Sequence, residues 1–129
     1  MIYGIGVDLV NIKRFESWIK NPSILERFFN KNEIKEKCST DILLEHYASR
    51  FAAKEAFSKA LGTGIYNFNL KDICVVKNKD CKPELVLEDT ALRVFNERCK
   101  DCVIHLSLTH EKEYAMAYVI IEKVENIGG

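Results

Sequence analysis

The chain has no surplus of charge. Its 19 Lys and Arg residues balance 19 Asp and Glu, so overall charge argues for neither nucleic acid nor a membrane surface as a partner. No apolar stretch reaches the ~18 residues that a membrane span requires. The N-terminus lacks a basic region followed by a hydrophobic run, and the expected compartment is therefore the cytoplasm. Internal repeats, low-complexity tracts and interdomain linkers are also missing. With 129 residues, 47% of them apolar, the chain suits a single domain over residues 1–129, with residues 124–129 expected to fray. Five cysteines are an odd number for a disulfide framework, and reduced, structural thiols are expected. Cys99 and Cys102 form a C-x-x-C pair, but no second pair or His pair stands at zinc spacing and no strand leads into it as in a redox fold. A G-x-S-x-G elbow is absent, which ranks a Ser107 and His110 hydrolase pairing low.

What is present is ordered as strand, helices, then mostly strands. Residues Ile2 to Val10 alternate as a strand, with Tyr3, Ile5, Val7 and Leu9 on one face and Gly4, Gly6, Asp8 and Val10 on the other. Asn11 can cap a short helix through Trp18, and Asn21-Pro22 breaks it. A second short helix is predicted from Ser23 to Phe29 and a third from Lys31 to Cys38. A long helix, capped by Thr40 or Asp41, runs to Leu61 and stops at Gly62; it is apolar almost all round, which predicts a central, buried element. Strands are predicted at 73–76, 84–87, 103–109 and 114–121, the last two as a hairpin around His110 to Glu113, with a helix from Thr90 to Cys99. The expected fold class is α+β, with an antiparallel sheet packed on the long helix.

The segment Arg50 to Gly64, RFAAKEAFSKALGTG, carries the strongest chemical signal. Glu55 lies on the helix stripe of Leu44, Ala48, Phe51 and Lys59. One reading is an i,i+4 ion pair with Lys59. The other begins from Ala48, Ala52 and Ala56, which let neighbouring backbone approach and partly bury the carboxylate, and a buried anion is paired or binds metal. Asp8, beside glycines on the first strand, is the second carboxylate such a site would use, since Mg2+ takes one or two carboxylates plus phosphate oxygens and water. Taken alone, Asp8 suits an edge strand or a helix cap equally well. Gly62-Thr63-Gly64 ends the helix, and such a turn can also face backbone N–H groups toward a phosphate, with Lys59 one turn back. His105, Ser107 and Thr109 share a polar strand face that is either solvated or able to bind phosphate and sugar oxygens. Residues 11 to 37 carry seven cations against four glutamates, a surface that would attract an acidic protein, and Arg14 with Trp18 suits an interface.

Three blocks, GIGVDLV at Gly4 to Val10, RFAAKEAFSKALGTG at Arg50 to Gly64 and HLSLTHEKEYAMAYVIIE at His105 to Glu122, occur in an order and spacing that resembles the short bacterial holo-acyl-carrier-protein synthases of the phosphopantetheinyl transferase superfamily. The resemblance spans nearly the whole chain. It implies Mg2+-dependent transfer of 4′-phosphopantetheine from coenzyme A to a serine of apo acyl carrier protein, with release of adenosine 3′,5′-bisphosphate, and Mn2+ as a possible substitute ion. It further implies that Asp8 and Glu55 hold the metal, that Lys59, Gly62, Thr63, Gly64 and Thr109 contact phosphate, that His105 lies near the 3′-phosphate, and that Lys82-Pro83 lies near the adenine. Arg14, Trp18 and Arg27 would dock the carrier, and the enzyme would be a homotrimer with active sites between protomers. The favoured proton acceptor is Glu55 through a water on the cation, with Lys54 as the alternative. The chain departs from the family in one place: the usual Gly-Lys-Pro loop reads Cys81-Lys82-Pro83. A non-catalytic coenzyme A-binding module and a water-using phosphodiesterase are the competing functional classes.

Overall fold

A computed structural model describes residues 1–64 and 67–125. Among the described residues, five strands and three α-helices follow one another in the order β1 (Ile2–Asn11), α1 (Pro22–Phe28), α2 (Thr40–Leu61), β2 (Ile73–Lys77), β3 (Pro83–Leu87), α3 (Asp89–Arg98), β4 (Cys102–His110) and β5 (Tyr114–Lys123). The strands form two antiparallel sheets, one of three strands in the order β1-β5-β4 and one formed by β2 and β3. The α+β class is as expected, but the sheet is divided in two. No described helix is long and apolar enough to cross a membrane.

Thirteen of the 22 residues of α2 are buried, so this helix forms the axis of the core as its all-round apolar pattern predicts. It packs across β1 and β5, and its seat on β1 depends on two glycines. A Cβ placed on Gly4 would lie 1.8 Å from the Ala60 carbonyl oxygen, and one on Gly6 would lie 1.9 Å from that of Ala56. Helix backbone therefore fills the space that the two side-chain-free positions leave. Phe15, Phe57, Ile73, Val119 and Ile121 complete the interior.

Two predicted helices are only single 3-10 turns. The segment after Asn11 is helical only over Ile12–Phe15. Its entry is held by an Ile12 N–H bond to the Glu113 carbonyl (2.8 Å), while Phe15 and Trp18 turn inward to meet Phe51 and Phe28. The segment from Lys31 reaches only Glu33, because the Glu33 carboxylate points into the core and accepts the Asn30 and Val75 N–H groups at 2.9 and 3.0 Å. Long-range bonds outcompete local helix here. At the start of α2 the cap is Ser39, which accepts the Ile42 N–H, rather than Thr40 or Asp41. The other elements lie within one or two residues of expectation, and β4 and β5 form the hairpin, closed by Glu111 N–H to the Tyr114 carbonyl (2.8 Å).

Cys99 and Cys102 face one another across the turn from α3 to β4, their Cα atoms 5.7 Å apart, a separation that a disulfide can bridge. Cys38, Cys74 and Cys81 are free. Of the tail, Val124 still donates to the Asp101 carbonyl (3.2 Å); residues 126–129, where fraying was expected, lie outside the described residues.

His46 is structural. Its ring meets the Glu33 carbonyl through Nε2, and burial lowers its pKa from 6.5 to about 4. The folded protein thus binds fewer protons than the unfolded chain in the window between these two values. The contribution is complete above the upper value and is lost as pH falls toward the lower one. Urea titrations across that window should show His46→Gln losing less stability on acidification than the wild type, and parallel losses would refute the assignment.

Candidate functional site

Asp8 lies on the inner face of β1, where register pairs it with Ala117 of β5 and, through it, with Leu108 of β4. The glycines before it bring α2 close enough for two turns of that helix to reach over it. Lys59 Nζ donates to the Val7 carbonyl (3.0 Å) and to Asp8 Oδ1 (3.1 Å). The i,i+4 pairing of Lys59 with Glu55 is not the one formed. Asp8 Oδ2 alone, among the buried side-chain oxygens and nitrogens of the described residues, has no hydrogen-bond partner. Buried oxygens are almost always satisfied, so an orphan carboxylate oxygen marks a place for a ligand.

Glu55, one turn before Lys59, is partly buried, and its pKa is raised first by burial and next by the negative charge of Asp8, with Lys59 and Arg14 opposing. The two carboxylates therefore feel one another, and both favour an added cation. No group of three or more His, Cys, Asp or Glu side chains converges among the described residues. A two-carboxylate site does not make a closed metal cage but suits Mg2+, which keeps open positions for water and phosphate oxygens. The donor set and the orphan oxygen both fit that ion.

Lys54, the alternative proton acceptor, is on the wrong side of the helix. It is completely buried, and its ammonium binds Glu33 Oε1 (2.6 Å), the Leu70 carbonyl (3.0 Å) and the Ile73 carbonyl. Burial lowers its pKa and Glu33 opposes the shift. The Glu33–Lys54 pair was missed in the sequence; the one available signal was a lysine inside an otherwise buried helix stretch.

At the end of α2, Gly62 and Gly64 take positive φ values of 82° and 69°. The Gly62 and Thr63 N–H groups bond back to Ser58 and Lys59 carbonyls, so these two close the helix rather than pointing outward for a phosphate. The Thr63 hydroxyl donates to the Gly64 carbonyl (2.8 Å). Arg14 holds its guanidinium 5.1 Å over the Phe51 ring and 5.6 Å over Trp18. Trp18 stacks on Phe28, which in turn carries Arg27 at 5.1 Å. Arg14, Trp18 and Arg27 thus form a continuous strip of cations on aromatic supports, and the Arg14 charge is felt at Glu55.

His105 and Thr109 do not join this group within one chain. Register pairs His105 with Ile120 and Ile5, and Thr109 with Met116 and Leu9, all on the outer face of the sheet and opposite to Asp8. His105 Nε2 meets Glu122 Oε1 at 3.0 Å. Lys82 and Pro83 lie at the β2–β3 turn. Asn78 organises that turn by accepting the Asp80 and Lys82 N–H groups at 2.8 and 3.0 Å. Cys81 adopts the left-handed φ of 61° there, the conformation that glycine takes freely. Cys81→Gly should therefore keep the loop and raise stability by about 0.5 to 1 kcal/mol; a lowered urea midpoint would contradict this.

Residues 4–119 match the 4′-phosphopantetheinyl transferase superfamily, and the chain belongs to that family and is a transferase. Within it, the chain is similar to holo-[acyl-carrier-protein] synthases. That of Treponema denticola is 50% identical over 123 residues, covering 95% of this chain and 99% of the relative. The crystal structure of a Bacillus anthracis holo-(acyl-carrier-protein) synthase in complex with CoA (3′,5′-ADP) superposes with a TM-score of 0.76 at 35% identity, covering 96% of this chain and 99% of that one. The Neisseria meningitidis enzyme superposes with a TM-score of 0.83 at 31% identity, covering 95% and 100%.

Proposed function

We propose that this chain transfers 4′-phosphopantetheine from coenzyme A to a serine of apo acyl carrier protein in a Mg2+-dependent reaction that activates the carrier for fatty acid biosynthesis in the cytoplasm. The observation that carries the reading is the orphan Asp8 Oδ2 beside Glu55 and Lys59. In the transfer, the serine Oγ forms a bond to the phosphorus next to the pantetheine arm. The bond from that phosphorus to the bridging oxygen breaks, and adenosine 3′,5′-bisphosphate leaves with the electron pair. When bound, Mg2+, or Mn2+ in its place, neutralises the diphosphate oxygens. Asp8 and Glu55 would be its ligands. Lys59 adds a further positive charge as the leaving group develops negative charge. Glu55, beside Asp8 and Lys59, is the nearby group suited to take up the serine proton.

Coenzyme A would extend from this site over the Gly62 to Gly64 turn. The remaining contacts, His105 and Thr109 on the phosphates and Lys82-Pro83 on the adenine, are assigned to a neighbouring copy in a homotrimer. Two features support this arrangement. His105 and Thr109 face away from Asp8 in their own chain, and the outer sheet face that carries them exposes Tyr3, Ile5, Val7, Leu9, Met116 and Tyr118, an apolar patch of the kind that marks an interface. The acidic carrier would dock on Arg14, Trp18 and Arg27, next to Glu55. No nucleic acid or membrane takes part.

The deciding experiment incubates apo carrier with coenzyme A and Mg2+ and reads intact mass. A gain of one phosphopantetheine arm is expected, with the rate falling on the order of a hundredfold in Asp8→Ala. Coenzyme A breakdown without carrier would instead indicate a phosphodiesterase, and binding without turnover would indicate a passive module. Arg14→Glu should raise KM for carrier about tenfold and leave that for coenzyme A nearly unchanged.

A further inference from the structure

The Lys59–Asp8 contact raises a question that the proposed chemistry leaves open. A lysine that neutralises phosphate should be free to reach it, yet here its ammonium is held by the Val7 carbonyl and by one oxygen of the carboxylate that would bind the metal. The two side chains differ in burial: that of Lys59 is 55% exposed and that of Asp8 15%. The lysine can therefore swing away at little cost, whereas the carboxylate stays fixed. The other Asp8 oxygen is buried and bare, and Glu55 stands close enough to raise the negative charge of the site. An ammonium and a divalent cation cannot share these oxygens without strong repulsion.

Resting on the metal-site reading above, we infer that Lys59 is an exchangeable counter-ion that couples metal binding to coenzyme A binding. Without ligands it holds Asp8 in place of the metal. A divalent cation on the bare oxygen repels the ammonium from its neighbour, and the ammonium turns outward to the diphosphate. Coenzyme A, by drawing Lys59 to its phosphates, likewise clears Asp8 for the cation. Each ligand therefore aids the other beyond their direct contact, and linkage requires the aid to be equal in both directions. No bond is made or broken in this exchange; only an ion pair changes partner. The lysine acts as a positioning group for the cation and as a direct contact for the phosphate.

The inference is tested by titrating Mn2+ alone, and then with saturating coenzyme A, into wild type, Lys59→Met and Lys59→Arg, following the free-ion signal by electron paramagnetic resonance. A protein-free control accounts for Mn2+ bound by coenzyme A itself. Lys59→Met should bind Mn2+ alone about fivefold more tightly than wild type, the size expected on removing an ion pair that is half exposed. Coenzyme A should then enhance Mn2+ affinity about fivefold less in Lys59→Met than in wild type. Lys59→Arg, which keeps a cation in reach of Asp8, should not tighten Mn2+ binding. Equal tightening in Lys59→Met with and without coenzyme A would mean that the lysine acts only through its field, and would overturn the exchange. Unchanged Mn2+ affinity in Lys59→Met would overturn it as well. Absence of Mn2+ binding to wild type under both conditions would sink the metal-site reading itself, a different failure from the other two.

Discussion

Gly6→Ala is expected to cost at least about 3 kcal/mol, and most of the folded protein at physiological temperature. The added methyl would lie 1.9 Å from the Ala56 carbonyl oxygen and 2.8 Å from the Ala60 nitrogen. Both are backbone atoms of a buried helix, so no side chain can rotate aside to make room. The only relief is to lift α2 away from β1, and that movement would separate Lys59 and Glu55 from Asp8. Stability and function should fall together. Gly4→Ala meets the Ala60 carbonyl at 1.8 Å and should behave alike. Urea unfolding and soluble yield provide the measurement. A Gly6→Ala protein with the wild-type midpoint would mean that the helix is not seated on these two positions.

Lys54→Met should destabilise the protein by about 3 to 5 kcal/mol, because it leaves the Glu33 carboxylate buried without its counter-ion. The Leu70 and Ile73 carbonyls that the ammonium now satisfies lose their donor as well. Adding Glu33→Gln should recover at least half of the loss, since an amide can accept from Val75 or Asn30 and donate toward the emptied carbonyls without carrying a charge. The double variant should retain phosphopantetheine transfer, because the pair lies away from the Asp8 carboxylate. A double variant no more stable than Lys54→Met would show that the ammonium matters for packing rather than for charge.

The two variants break different kinds of information. The Gly4 and Gly6 positions were readable as sites of close approach, because two side-chain-free residues on one face of a strand have few other uses. That the approaching group is the backbone of α2 was only implied by the Ala48, Ala52 and Ala56 row. The Glu33–Lys54 pair was not readable. Its partners lie 21 residues apart, and Glu33 sits in a segment whose local pattern predicts a helix longer than the single turn that forms. The same holds for the short turn after Asn11, where the inward demand of Phe15 and Trp18 outweighs local helical preference. Cys81 is an intermediate case. The departure from glycine was visible, but the positive φ it adopts is imposed by the Asn78-centred turn.

Periodicity and block order alone determined the α+β class, the buried central helix, the final hairpin, the family and the residues worth watching. These follow from local rules: a period of two or 3.6 states which side chains share a face, and a run of residues in fixed spacing states which chemistry is carried. Tertiary structure alone decided which face meets which partner. The register of β1, β5 and β4 puts Asp8 inside and His105 and Thr109 outside, and the seating of α2 gives Lys59 to Asp8 instead of to Glu55. Such pairings depend on packing between segments far apart in the chain, Lys59 and Val7 by 52 residues and the β1 and β5 partners Asp8 and Ala117 by more, and no local period encodes a distance of that kind.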